Sequence, residues 1–186
     1  MAITRRSFNG LMTKTAMVAA LPFPLACTEQ QDEIDVAALS MEDFINQIPK
    51  AESHIHLQGC VTPELLLKFA SRNNIPLSYK NERDVENFIE NSYGPDLSDF
   101  VRVLTEITTV LKTEQDFYDT AMDYFKRSSK QNLKYAEIYF DPQPALENGI
   151  AMPAMMAGMN AARKDAIRDY DIDCQWLMSF QRDRTL

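Results

Sequence analysis

The chain has 186 residues, of which 45% are hydrophobic, 10% aromatic and 25% charged, a globular composition that excludes a disordered or collagen-like polymer. The net charge is −8 and no basic stripe is present, which argues against nucleic acid as a partner because an acidic surface repels phosphate backbones. Three cysteines do not make a disulfide framework.

In chain order, Thr4-Arg5-Arg6-Ser7-Phe8 is a twin-arginine pattern. An apolar stretch from Leu11 to Leu25 follows, interrupted by Lys14. It is short and weakly apolar for a membrane span, which needs about 20 apolar residues. It ends at Pro24-Leu25-Ala26-Cys27, which resembles a bacterial lipobox, although Pro24 stands where leucine is usual. Residues 1–26 therefore read as a targeting segment outside the fold. They imply export to the periplasmic side, with lipid on Cys27 as the membrane anchor. A plain secretory signal with an incidental Cys27 is the alternative. Residues 27–40 read as a polar tether.

Ser40, with Asp43 three residues on, predicts a capping box that opens a helix over Met41–Gln47 and stops before Pro49. Ala51–Leu57 alternates as a strand would, and Gly59 breaks it. Thr62-Pro63-Glu64 has the N-cap, first-turn proline and first-turn acid of a helix start, and Asn73-Asn74-Ile75-Pro76 ends that helix. A short helix is expected around Val85–Asn91. Leu97, Phe100, Val101, Leu104, Ile107, Val110 and Leu111 recur at helical spacing. Thr113 and Asp116 predict a second capping box and a further helix. Leu133–Phe140 is strand-like and ends at Asp141-Pro142. Residues 151–169 form a methionine- and alanine-rich helix, and Ile172–Phe180 a third strand. Strands alternating with helices imply an α/β fold with a parallel sheet.

The chain contains two histidines, His54 and His56, one residue apart on the first predicted strand. Residues two apart on a strand point to one face, and neutral imidazoles bind zinc at about 2.0–2.1 Å. H-x-H near a strand end can therefore share one metal. A pair of solvated strand histidines satisfies the same pattern. Cys60 lies past the C-terminal end of the first predicted strand and Cys174 near the start of the third, opposite ends of a parallel sheet and too far apart for a disulfide, and Cys60 reads as a small buried residue.

The stretch PKAESHIHLQGCVTPE resembles the opening of the adenosine deaminase family. FVRVLTEITTVLKTEQDFYDTAMDYF, NLKYAEIYFDPQ and LMSFQRDRT resemble its later segments, the last of them in the bacterial adenosine/adenine deaminase branch. The resemblance spans residues 41–186. It implies an N-terminal portion of a (β/α)8 barrel: about three parallel strands with intervening helices, the barrel not closed. It implies a zinc-dependent purine aminohydrolase converting adenosine to inosine and ammonia. Adenine deamination, or a non-catalytic lipid-anchored binding protein, are the alternatives. His54 and His56 match zinc ligands. His56, Gln58 and Gly59 match substrate-binding positions, with Gln58 standing where an acid is common. Family sites also need a third histidine, an aspartate ligand, a proton-donating glutamate and a histidine that activates water. No catalytic acid or base is assigned within residues 41–186, so the chain is expected to be a piece of a longer deaminase, inactive alone.

Overall fold

The computed structural model describes residues 39–92, 94–182 and 184. The twin-arginine stretch, Cys27 and the tether up to residue 38 lie outside them. The described elements are α1 (Met41–Gln47), β1 (Lys50–His56), a 3₁₀ turn (Leu57–Cys60), α2 (Pro63–Arg72), α3 (Glu82–Ser92), α4 (Leu97–Thr108), α5 (Glu114–Ser129), β2 (Leu133–Phe140), α6 (Pro142–Glu147), α7 (Met152–Tyr170) and β3 (Asp173–Met178). The strands form one parallel sheet in the order β1-β2-β3. This is the parallel α/β sheet that the alternation implies, and the open, partial (β/α)8 barrel that the resemblance implies.

Local chemistry fixes most boundaries. Thr62 accepts a hydrogen bond from the Leu65 amide with Pro63 in the first turn of α2, satisfying an otherwise unpaired helix N-terminus. Thr113 and Asp116 close a full capping box at α5. Asp116 is fully buried. Its Oδ2 accepts from the Lys112 and Thr113 amides and from Asn73 Nδ2, each at 2.9 Å, and its Oδ1 pairs with Arg72. One carboxylate thus ties α2 to the start of α5. Lys50 has a similar linking role: its ammonium donates to the carbonyls of Ile45, Ile48 and Gln131, joining the ends of α1 and α5 to the start of β1.

One face of the sheet carries the core. Ala136, Ile138 and Phe140 of β2 are buried together with Phe117 and Phe125 of α5 and Met155 and Met159 of α7. The alternate residues Tyr135, Glu137 and Tyr139 stay partly or fully exposed, as a two-residue period requires. Helices α5 and α7 lie so close that a Cβ on Gly158 would stand 2.2 Å from the Glu114 carbonyl oxygen.

Four expectations are adjusted. At α1 the Ser40 hydroxyl accepts from the Asp43 amide and donates to its carboxylate, so the reciprocal bond to the Ser40 amide that defines a capping box is replaced. Helix α3 starts at Glu82 because the Asn81 side chain accepts from the Asp84 amide at 3.0 Å, giving an earlier cap. Strand β3 is two residues shorter at its C-terminal end, where Ser179 turns back toward Phe140 and Asp141. Helix α6 was not expected: six residues with two prolines carry no readable period.

Candidate functional site

The C-terminal ends of the three strands meet a cleft of about 740 Å³, lined by His54, His56, Phe100, Leu104, Asp141, Ser179 and Phe180, among others. A groove of about 730 Å³ runs along the outside of α4 and holds neither imidazole; the chemistry converges in the first.

His54 and His56 reach the cleft by a route that regular alternation does not supply. Glu52 pairs with Ala136 and Ile55 with Ile138, so β1 advances three residues while β2 advances two. Ser53 and His54 together form a β-bulge opposite Glu137. The extra residue lets Glu52 and Ile55 both face the helices, although they are an odd number apart. Glu52 accepts from the Tyr124 hydroxyl of α5 at 2.7 Å. His54 takes φ = 64°, in the left-handed region that non-glycine residues seldom occupy. The two imidazole centroids lie 5.6 Å apart. Both rings lie against Tyr139, His54 at 4.8 Å and His56 at 5.7 Å, and Phe100 meets the edge of His56 at 5.5 Å.

Asp141 stands at the end of β2. Its Oδ1 accepts from the Ser179 hydroxyl at 2.5 Å, and its Oδ2 lies 3.5 Å from His56 Nδ1. His56 Nδ1 is buried without a hydrogen bond of ordinary length, so the carboxylate faces it at ion-pair distance. Burial pushes the Asp141 carboxyl upward, but the interactions with His56 and Ser179 prevail and hold it below the usual carboxylate value.

The other sequence-predicted positions divide. Gln58 is buried and donates from Nε2 to the Asp141 carbonyl at 3.0 Å, while its buried Oε1 has no partner. It does not line the cleft. Gly59 lines a second cavity on the far side of the imidazoles, with Tyr124 and Arg127. Its φ is not left-handed, and a Cβ there would meet Leu104 at 3.6 Å, an ordinary contact. Gly59 lies in the 3₁₀ turn that ends β1, as expected, and the backbone of that turn does not require glycine. Cys60 and Cys174 are buried free thiols. Burial, opposed in part by Arg127, pushes Cys60 up to about 12, which keeps it protonated and inert. Asp141 and Ser179 were missed as site residues. The D-P pair of Asp141-Pro142 reads as a strand end, and the pairing of Asp141 with Ser179 is a contact across 38 residues.

As a metal site the donor set fits in part. Two imidazoles share one cleft, and His56 has its Nδ1 turned to a carboxylate, the arrangement common behind metal-bound histidines. Among the described residues no group of three or more His, Cys, Asp or Glu could hold a metal ion.

Residues 49–185 match the family described as adenosine deaminase. An uncharacterised deaminase of Schizosaccharomyces pombe is 41% identical over 143 residues, 77% of this chain and 41% of that protein. An adenine deaminase of Chlorobium phaeobacteroides is 37% identical over 142 residues, 76% of this chain and 42% of that protein. The chain thus spans about two fifths of the length of the curated relatives it matches. Among solved structures, the adenine deaminase of Arthrobacter aurescens superposes with a TM-score of 0.67 at 32% identity, covering 73% of this chain and 40% of that one. An amidohydrolase of Burkholderia ambifaria with bound Zn has a TM-score of 0.66 at 24% identity, covering 84% and 41%, and supports the fold.

Proposed function

The chain belongs to the adenosine deaminase family, and from that premise we propose that its strand ends form part of the zinc site of a purine deaminase. The observation that carries the reading is the pairing of His54 and His56 in one cleft, their rings 5.6 Å apart, with a carboxylate behind His56. These two side chains would hold the ion as neutral imidazoles. Zinc, when bound, lowers the pKa of a coordinated water to about 7 and supplies hydroxide at neutral pH. Phe100, Leu104 and Phe180 give the cleft an apolar wall suited to a flat heteroaromatic ring. Both histidines of the chain are committed to the metal, so neither serves as a proton donor.

The net reaction is hydrolysis of the exocyclic amine, with release of ammonia. Adenine is the substrate favoured here over adenosine. Relatives that match about three quarters of this chain include adenine deaminases of Chlorobium phaeobacteroides and Rhodospirillum rubrum, and Gln58 is turned into the protein, away from any ribose in the cleft. Adenosine is the second reading, favoured by the family match itself. The test is a chimera in which residues 49–185 replace the equivalent segment of the Arthrobacter adenine deaminase. It should hold one zinc per chain and release ammonia from adenine faster than from adenosine, and His54→Ala or His56→Ala should remove both metal and turnover. Full zinc occupancy in the double alanine variant would refute the assignment. The 186-residue chain assayed by itself should give no ammonia above background.

Export is proposed on sequence alone. Thr4-Arg5-Arg6-Ser7-Phe8 and Pro24-Leu25-Ala26-Cys27 support a periplasmic lipoprotein that begins at Cys27 and is anchored by its acyl chains. Intact mass measurement of the membrane fraction checks it: an unmodified Cys27 or a retained Met1 would contradict the anchor.

A further inference from the structure

Asp141 occupies the N-cap position of α6 yet makes no side-chain capping bond, although aspartate is among the strongest caps. Its carboxylate is directed elsewhere. Ser179 at the end of β3 fixes Oδ1 at 2.5 Å, and Oδ2 is the polar atom that faces the buried Nδ1 of His56, 3.5 Å away. The backbone of Asp141 is held as well, its carbonyl accepting from Gln58 at 3.0 Å. Groups from all three strand ends therefore converge on one aspartate, and a helix cap is forgone at that residue.

We propose that Asp141 is a positioning residue for His56: its carboxylate accepts a hydrogen bond from Nδ1–H, fixing the tautomer in which Nε2 keeps the lone pair that a metal needs. Ser179 holds the carboxylate in that pose. A neutral imidazole carries its proton on one nitrogen, and the hydrogen bond made by that nitrogen decides which one is left to coordinate. The idea rests on the zinc reading for its purpose, but its signature is measurable without metal.

The experiment uses the 186-residue chain labelled with ¹⁵N-histidine, treated with chelator and held at about pH 8.5, well above the ordinary histidine value. Long-range proton–nitrogen correlations separate the two tautomers. The chain has two histidines, so His54→Ala assigns the spectrum completely. In the native chain His56 should be predominantly Nδ1–H. In Asp141→Ala it should shift towards Nε2–H while His54 is unchanged, and Ser179→Ala should give a smaller shift in the same direction. A residue that merely supports the fold would not move a tautomer in a protein that remains folded by circular dichroism. If Asp141→Ala does not fold, Ser179→Ala, which keeps the carboxylate, decides. Native His56 in the Nε2–H form, or an Nδ1–H population that persists in both variants, would overturn the proposal. In the zinc-loaded chimera, Asp141→Ala should weaken metal affinity about 10- to 100-fold. Failure of the native chimera to bind zinc would count against the metal reading and leave the tautomer measurement standing as its own test.

Discussion

His54 sits at φ = 64° in the bulge of β1, and replacing it by glycine should relieve that backbone strain while removing a proposed metal ligand. For a residue with a Cβ, the left-handed conformation costs about 1–2 kcal/mol. Glycine escapes that cost, but it loses about 0.5–1 kcal/mol through its larger unfolded-state entropy. The imidazole is exposed, so little burial is forfeited. Its tilted contact with Tyr139 at 4.8 Å is worth about 0.5 kcal/mol. The cleanest comparison is His54→Gly against His54→Ala, because both lose that contact and only alanine keeps the strain. Glycine should be the more stable by about 0.5–1 kcal/mol, or about 2 °C in Tm for a chain of this size. Urea denaturation followed by circular dichroism measures it, provided the m-value is unchanged. An alanine variant as stable as the glycine variant would refute the claim that the bulge stores strain at His54. Strain of this kind at a non-glycine residue is a feature of functional sites, and it accords with the metal role proposed for His54.

Gly158→Ala should destabilise the chain by about 1 kcal/mol, since overpacking against the Glu114 carbonyl costs about 1–3 kcal/mol against a helix-propensity gain of about 1 kcal/mol; a stabilised variant in thermal unfolding would contradict the close approach of α5 and α7. Asp119 accepts from Gln115, Arg72 and Lys68. Burial raises its carboxyl, but those partners prevail and hold it below the ordinary value. A folded-state value below the unfolded one adds stability that is present above the unfolded pKa and lost as pH falls through the folded one. The advantage of the native chain over Asp119→Asn should therefore shrink below about pH 4, and a difference constant from pH 7 to pH 3 in urea titrations would refute it.

The parts of the fold written in local chemistry were legible. Thr62 and Thr113 announce α2 and α5 because a cap needs only neighbours along the chain, and Leu133–Phe140 announces β2 by its period. The site was legible as far as His54 and His56, since two imidazoles in seven residues stand out against a chain that has no others. The bulge was not, because it follows from register against β2, which no single strand encodes. Asp141 was invisible for a related reason: its partners His56 and Ser179 come from β1 and the end of β3. Gln58 was read as a group turned to a ligand; its contact with the Asp141 carbonyl, which no local pattern announces, was not legible.

The bulge in β1 has a further consequence for how the protein meets other copies of itself. The outer edge of β1 is interrupted where Ser53 and His54 depart from the ladder, and such an interruption discourages a stray strand from docking. Strand β3 has no such defect: its register with β2 runs unbroken from Asp173 to Met178, and among the described residues no strand pairs with its other side. Met178 and Phe180 lie exposed at its end. When the 186-residue chain is purified by itself, self-association in concentrated solution should therefore begin at β3 and not at β1, and a lysine placed on the β3 edge should keep that preparation dispersed.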